Sequence, residues 1–148
     1  METQHKKEIE NIFRFMNSVL FIEKKFTFQF KKVTLFPKEV HAILLIAQEP
    51  AINGKAMAEQ LGVTKGAISQ TLTRLEKKGV LYKEKKPGSK NEIQVRFTSL
   101  GQEAVEHYTK FKSMLEQHYN DCLSQFTDQE RVTINDFLVR LNKIINHI

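Results

Sequence analysis

Residues 54–79 read GKAMAEQLGVTKGAISQTLTRLEKKG. Asn53 stands just before this stretch, where its side chain can accept from an orphan helical amide, and Gly62 ends the first segment after about two turns. Thr64 is the same kind of cap for a longer helix running to about Lys78. A short helix, a tight turn holding Gly62-Val63 and a longer helix are the order of a helix-turn-helix. Met57, Leu61, Val63, Ile68, Leu72 and Leu75 supply a shared core, with the small Ala58 where the two helices should cross closely.

On the second helix Lys65, Ser69, Gln70 and Thr73 project together, away from Ile68, Leu72 and Leu75. A polar, short-chained face lets a helix sit deep in a major groove, where Gln can bond adenine and Ser or Thr several bases. Thr64 and the amides after it can meet a phosphate at the helix start, while Gly66 and Ala67 permit close approach. Arg74 adds a base to the same helix. The plainer reading is a helical hairpin with a solvated face, so the surrounding charge has to decide.

The chain carries 23 bases and 17 acids over 148 residues, a net +6. Lys65 to Arg96 holds nine of those bases and three acids, leaving 14 of each elsewhere. All of the net charge therefore belongs to one segment, as expected of a surface that binds a polyanion. Within it, Val80 to Lys86 and Glu92 to Phe97 are short β-rich runs around the turn signal Pro87-Gly88-Ser89. Ile93, Val95 and Phe97 alternate with Gln94 and Arg96, predicting a half-buried strand in a hairpin that bears Lys83, Lys85, Lys86 and Lys90. Double-stranded DNA is the expected partner.

Outward from this module, Ile9, Ile12, Phe13, Met16, Val19 and Leu20 recur at helical spacing. Phe26, Phe28 and Phe30 then alternate with a period nearer two, which leaves the helix end open. Phe36-Pro37 opens another helix, with Val40, Ile43, Leu44 and Ala47 on one stripe, and Glu49-Pro50 closes it. After Thr98 a long helix is predicted with Val105, Tyr108, Phe111, Leu115, Cys122 and Phe126 on its apolar stripe. Thr127-Asp128-Gln129-Glu130 is a capping box, followed by a stripe of Val132, Phe137, Leu138, Leu141, Ile144 and Ile145.

Composition narrows the class. A chain of this length buries roughly 68–70% of its unfolded surface, so it needs no disulfide or structural metal. One Cys cannot form an intramolecular disulfide, and a reducing cytoplasmic setting is expected. The polar start and the brevity of the longest apolar run, Ala42 to Ala47, fit neither a signal peptide nor a membrane span. With no GxGxxG, GxxxxGK[ST] or HExxH, and no paired nucleophile and base, catalysis is not expected, nor is a cofactor.

The helix-turn-helix with its basic wing, the Leu35-Phe36-Pro37 helix opening, the Phe97-Thr98-Ser99-Leu100-Gly101 exit and the long terminal helices together resemble the MarR family of regulators. The fold this implies is mainly α with a small β-wing: a winged helix-turn-helix module at 36–98, flanked by dimerisation helices at 1–32 and 99–148 in one continuous unit. The resemblance implies a homodimeric transcriptional regulator, a repressor acting on a pseudo-palindromic operator and open to release by a small effector. DNA contact is then expected from Thr64, Lys65, Gly66, Ala67, Ser69, Gln70, Thr73, Arg74, Lys83, Lys85, Lys86, Lys90 and Asn91. One departure stands out. Family members often carry an Asp-x-Arg pair in the wing, with the Arg entering a minor groove; here those places hold Ser89 and Asn91, and Phe97 replaces the exit Leu. Lys86 or Lys90 would have to substitute, although Lys fits a narrow groove less readily than Arg.

Three further sites admit two readings each. Cys122 falls on an apolar stripe and reads as a packed core thiol rather than a redox sensor. Zinc-binding members draw ligands from the helices holding Glu39, His41, Glu103, Glu106 and His107, but the spacing matches no metal motif, so Glu39, His41 and His107 are candidates and no metal is assigned. Phe26, Phe28, Phe30 and Phe36 could line an aromatic effector pocket, against simple core packing. The competing functions are a zinc-responsive regulator of the same fold and a winged-helix protein-interaction module that binds no DNA.

Overall fold

The computed structural model describes residues 4–147, with the backbone alone at residue 23. It comprises two compact units, one reaching to His107 and one starting at Tyr108.

In the first unit, α1 (Lys6–Lys25) ends where Phe26 turns extended. The phenylalanine alternation beyond it is a strand: β1 (Phe28–Phe30) pairs antiparallel with β2 (Val33–Leu35), placing Phe28 opposite Leu35 and Phe30 opposite Val33. Phe28, Val33 and Leu35 are buried while Gln29 is exposed, as period two demands. Three residues per strand are too few for the sequence pattern alone to declare a sheet.

Pro37 then opens α2 (Pro37–Gln48), with Val40, Ala42, Ile43 and Ile46 buried. Both predicted caps form: Asn53 Oδ1 accepts from the Ala56 amide at 2.8 Å to start α3 (Gly54–Leu61), and Thr64 Oγ1 accepts from the Ala67 amide at 3.1 Å to start α4 (Lys65–Lys77). Gly62 sits between them in the left-handed region at φ 64°, which glycine tolerates without a Cβ penalty. Leu35, Ile43, Ile46, Met57, Leu75 and Leu81 form the centre of the core, so α4 rests on α2 and α3 through Leu75 and Ile68. Leu72, expected in that core, is only half-buried, and Val63 is exposed.

The wing consists of β3 (Leu81–Lys85) and β4 (Ile93–Phe97), antiparallel with Leu81 opposite Phe97 and Lys85 opposite Ile93. Only Val95 of the β4 apolar set is buried; Ile93 lies near the free end of the hairpin and is 67% exposed. At the other end Thr98 clasps the strands: its amide donates to the Val80 carbonyl at 3.1 Å and its hydroxyl to the Gly79 carbonyl at 2.5 Å. The same hydroxyl accepts from the Gly101 amide at 3.0 Å, which starts α5 (Ser99–Leu123).

In the second unit α5 continues, and α6 (Asp128–Ile145) opens on the predicted capping box, with the Glu130 amide 3.3 Å from Thr127 Oγ1 and the Thr127 amide donating to Glu130 Oε2 at 2.8 Å. The backbone amide and hydroxyl of Thr127 hold the Glu130 carboxyl below the ordinary carboxylate range. No residue of α6 is buried; Val132, Phe137, Leu138, Ile144 and Ile145 all face outward. Cys122 is exposed too, which corrects the reading of a packed thiol: the apolar stripe it belongs to is real, but nothing within its own unit covers it. Among the described residues no helix is long and apolar enough to cross a membrane.

Of the glycines, Gly101 is approached most tightly: an added Cβ would fall 2.0 Å from the Val80 carbonyl oxygen. Because that neighbour is backbone, Gly101→Ala must displace the start of β3 or of α5. It should destabilise the fold by about 1–3 kcal/mol in urea unfolding. Gly66→Ala, whose Cβ would meet nothing nearer than Thr64 Oγ1 at 3.9 Å, should leave stability unchanged or raise it by up to about 1 kcal/mol.

Candidate nucleic-acid interface

Lys65, Gly66, Ser69 and Gln70 are exposed on α4, and Thr73 is half-buried beside them. The Ala67 amide is consumed by the Thr64 cap, so the first-turn amides left for an anion are those of Lys65 and Gly66. Thr73 Oγ1 donates to the Ser69 carbonyl at 2.9 Å and accepts from Lys83 Nζ at 3.4 Å. It is therefore oriented by its neighbours. Arg74 sits at the α2-facing edge of the exposed surface, with Nη2 3.3 Å from Thr71 Oγ1 and Nε 3.9 Å from Glu39 Oε1.

The wing turn is built as its sequence asks. The Ser89 amide donates to the Lys86 carbonyl at 3.1 Å across Pro87 and Gly88, and Gly88 has φ 82°, the type II arrangement of Pro followed by Gly. Acids then organise the cations. Glu84 Oε1 accepts from Arg96 Nε and from Gln94 Nε2, each at 2.7 Å, across the two strands. These bonds hold the Glu84 carboxyl below its ordinary range and raise the Arg96 guanidinium above its own.

Lys83 lies 3.5 Å from Glu76, and Lys86 lies 2.9 Å from Glu92, whose amide donates to Ser89 Oγ at 3.2 Å. Lys65, Lys77, Lys85 and Lys90 have no ion pair among the described residues, and Asn91 is exposed beside Lys90. The nine bases are thus unequal: some are bound into the scaffold, and these four are free to meet an external anion.

Lys55 belongs with the free group although the charge count passed over it. It lies outside the Lys65–Arg96 window, yet the start of α3 carries it to a cleft of about 440 Å³ shared with Lys65, Lys86 and Ile93. Sequence distance hid what the turn between the helices brings together.

A family model for MarR matches residues 35–93, the span of α2, α3, α4, β3 and the wing turn up to the start of β4. That segment, less than half of the chain, is similar to the MarR family. The chain is 23% identical over 99 residues to the uncharacterized HTH-type transcriptional regulator YvnA of Bacillus subtilis, covering 67% of this chain and 63% of that protein. It is 26% identical over 110 residues to transcriptional regulator AdcR of Streptococcus pneumoniae, covering 74% and 75%. The match spans less than two thirds of the length of the three Bacillus subtilis relatives. The fold is shared with Lactococcus lactis ZitR in complex with DNA, at a TM-score of 0.77 and 16% identity over 93% of this chain and 97% of that one.

ZitR is described as a zinc-responsive MarR family member. The candidate ligands of this chain lie apart from one another among the described residues. Glu39 is buried against Lys78, His41 is exposed on α2, and the His107 ring packs between Phe28 and Phe30 at centroid distances of 5.7 and 5.2 Å. Glu103 pairs with Lys31. Among the described residues no group of three His, Cys, Asp or Glu is placed to hold a metal ion. The aromatic set divides as well: Phe28 and Phe30 pack on His107, whereas Phe36 faces a separate cavity of about 530 Å³ with Leu20, Lys24 and Arg74.

The places of the Asp-x-Arg pair hold Ser89 and Asn91, and Ser89 Oγ accepts from the Glu92 amide at 3.2 Å. Ser89 serves the turn rather than an Arg, and Lys86 is held by Glu92, which leaves Lys90 as the wing-tip cation. The Glu84 network makes a prediction of its own. Since its carboxyl is held low, that cross-strand bonding is present above the ordinary carboxylate range and is lost as pH falls through the lowered value. In an NMR titration, Arg96→Met should move the Glu84 midpoint upward toward an ordinary carboxylate.

Proposed function

We propose that this chain is a sequence-specific, double-stranded DNA-binding transcriptional regulator, a repressor that works as a homodimer on a pseudo-palindromic operator and is open to release by a small effector. The observation that carries the reading is the exposure of Ser69 and Gln70 beside Thr73 on α4, with Lys65 on the same helix and Lys85 and Lys90 on the wing exposed and without an ion pair among the described residues. Short polar groups suit base edges, and flexible point charges suit phosphates. The DNA-bound ZitR structure, which shares this fold, supports the assignment. A regulator of this kind acts where the chromosome is, in the cytoplasm, and performs no catalysis.

The homodimer rests on apolar surface. Phe13 and Leu20 of α1, and Phe137, Leu138 and Ile144 of α6, are each about half-exposed or more. Contiguous apolar faces of this kind mark an association surface. Two-fold symmetry brings two recognition helices to half-sites about one helical turn apart, roughly 10 bp. Sedimentation at micromolar concentration should give a dimer; a monomer would count heavily against the operator geometry.

Selection of bound fragments from the source genome supplies the cognate site, and anisotropy on cognate and scrambled duplexes then separates the two surfaces. Gln70→Ala should lose about 1–3 kcal/mol on the cognate duplex alone and relax preference at one position per half-site. Lys85→Ala or Lys90→Ala should weaken both duplexes alike. A dimer carries two wings, so each change should make the slope of log affinity against log salt shallower by up to about 1.8. Negligible binding of every duplex at low salt would favour a protein-interaction module.

A further inference from the structure

We propose that Glu39 is a positioning residue for base readout: a buried carboxylate on α2 that sets the orientation of the recognition helix α4 through Lys78 and Arg74. This rests on the reading of α4 as the DNA-reading helix. Glu39 is only 2% exposed, and its Oε2 accepts from the Phe36 amide at 2.9 Å and from Lys78 Nζ at 2.7 Å. Lys78 caps the C-terminus of α4; its Nζ also donates to the Thr34 carbonyl at 2.8 Å and lies 4.8 Å from the centre of the Phe36 ring. The end of the recognition helix is thus tied at once to β2 and to the start of α2. One turn earlier, Arg74 brings Nε to 3.9 Å from the other carboxylate oxygen.

That second oxygen, Oε1, is buried with no hydrogen-bond donor. A buried carboxylate with one oxygen unsatisfied is poor value for stability, since an apolar pair of similar volume commonly does as well or better. What an ion pair supplies and an apolar contact does not is direction. Ile68 and Leu75 hold α4 against the core, but their contacts tolerate small rotations. The bonds from Lys78 to Glu39 and Thr34 do not. Gln70 lies eight residues before Lys78, roughly 12 Å along the helix. A tilt of about 5° at the Lys78 end therefore moves Gln70 by about 1 Å, enough to break a hydrogen bond to a base edge.

The test uses the full-length protein with Glu39→Met/Lys78→Met, which removes both charges together, and with Glu39→Gln, which keeps the shape. Thermal unfolding, hydrogen exchange of the α4 amides without DNA, and the ratio of cognate to scrambled affinity are measured for each. The expected result is a double variant that unfolds within a few degrees of wild type while its α4 amides exchange about tenfold faster and its discrimination falls about tenfold, one base contact's worth. The salt slope on scrambled duplex should not move, because Lys85 and Lys90 are untouched. Wild-type exchange and discrimination in the double variant would overturn the proposal by showing a role in stability alone. If the double variant fails to fold, Glu39→Gln decides by the same two readouts. If the wild type itself discriminates no duplex, the DNA reading falls, and exchange in α4 still decides whether Glu39 orients that helix.

Discussion

The Val80 carbonyl is where the parts of the first unit converge. It follows Gly79 at the end of α4, immediately precedes β3, accepts the Thr98 amide and hydroxyl as β4 ends, and stands where any side chain on Gly101 of α5 would have to go. Four elements meet within one turn of chain. Because Thr98 serves the Gly79 and Val80 carbonyls and the Gly101 amide together, the base of the wing cannot shift without disturbing the end of α4 or the start of α5. This seam sets the distance between the root of the wing and α4.

From that root outward, the acids have a structural part. Glu84 holds Arg96 and Gln94 across the strands, Glu92 holds Lys86 at the turn, and Glu76 holds Lys83 beside Thr73. All three are solvent-accessible pairs of a kind that adds little stability. Their effect is on geometry and on which cations remain available. The net positive charge of this segment is sorted into bases that shape the hairpin and bases that project from it.

The sequence was most legible where a short local rule applies. Asn53 and Thr64 cap as their positions ask, Gly62 takes the left-handed conformation, Pro87-Gly88 makes its turn, and Thr127 with Glu130 closes its box. It was least legible where a residue's partner is distant in the chain. Nothing local distinguishes Glu39 as a buried ion-pair partner of Lys78, thirty-nine residues on, from the exposed ligand that a search for metal donors suggests. Nor does the alternation of Phe28 and Phe30 reveal a sheet until Val33 and Leu35 are seen to pair with it. Lys83 and Lys86 illustrate the same limit: composition counts them as free charge, and only the fold shows the acids beside them.

Cys122 and α6 carry the argument past the single chain. An 18-residue helix in water gains most of its stability from packing an amphipathic face, and α6 buries no residue at all while keeping a well-formed N-cap and an apolar stripe. The proposed homodimer supplies a surface for such a helix. If a second copy covers it, the exposure of Cys122 belongs to the isolated chain, and the stripe that predicted a packed thiol is answered between subunits. Folding of these helices and dimerisation would then be a single equilibrium, with stability that depends on protein concentration.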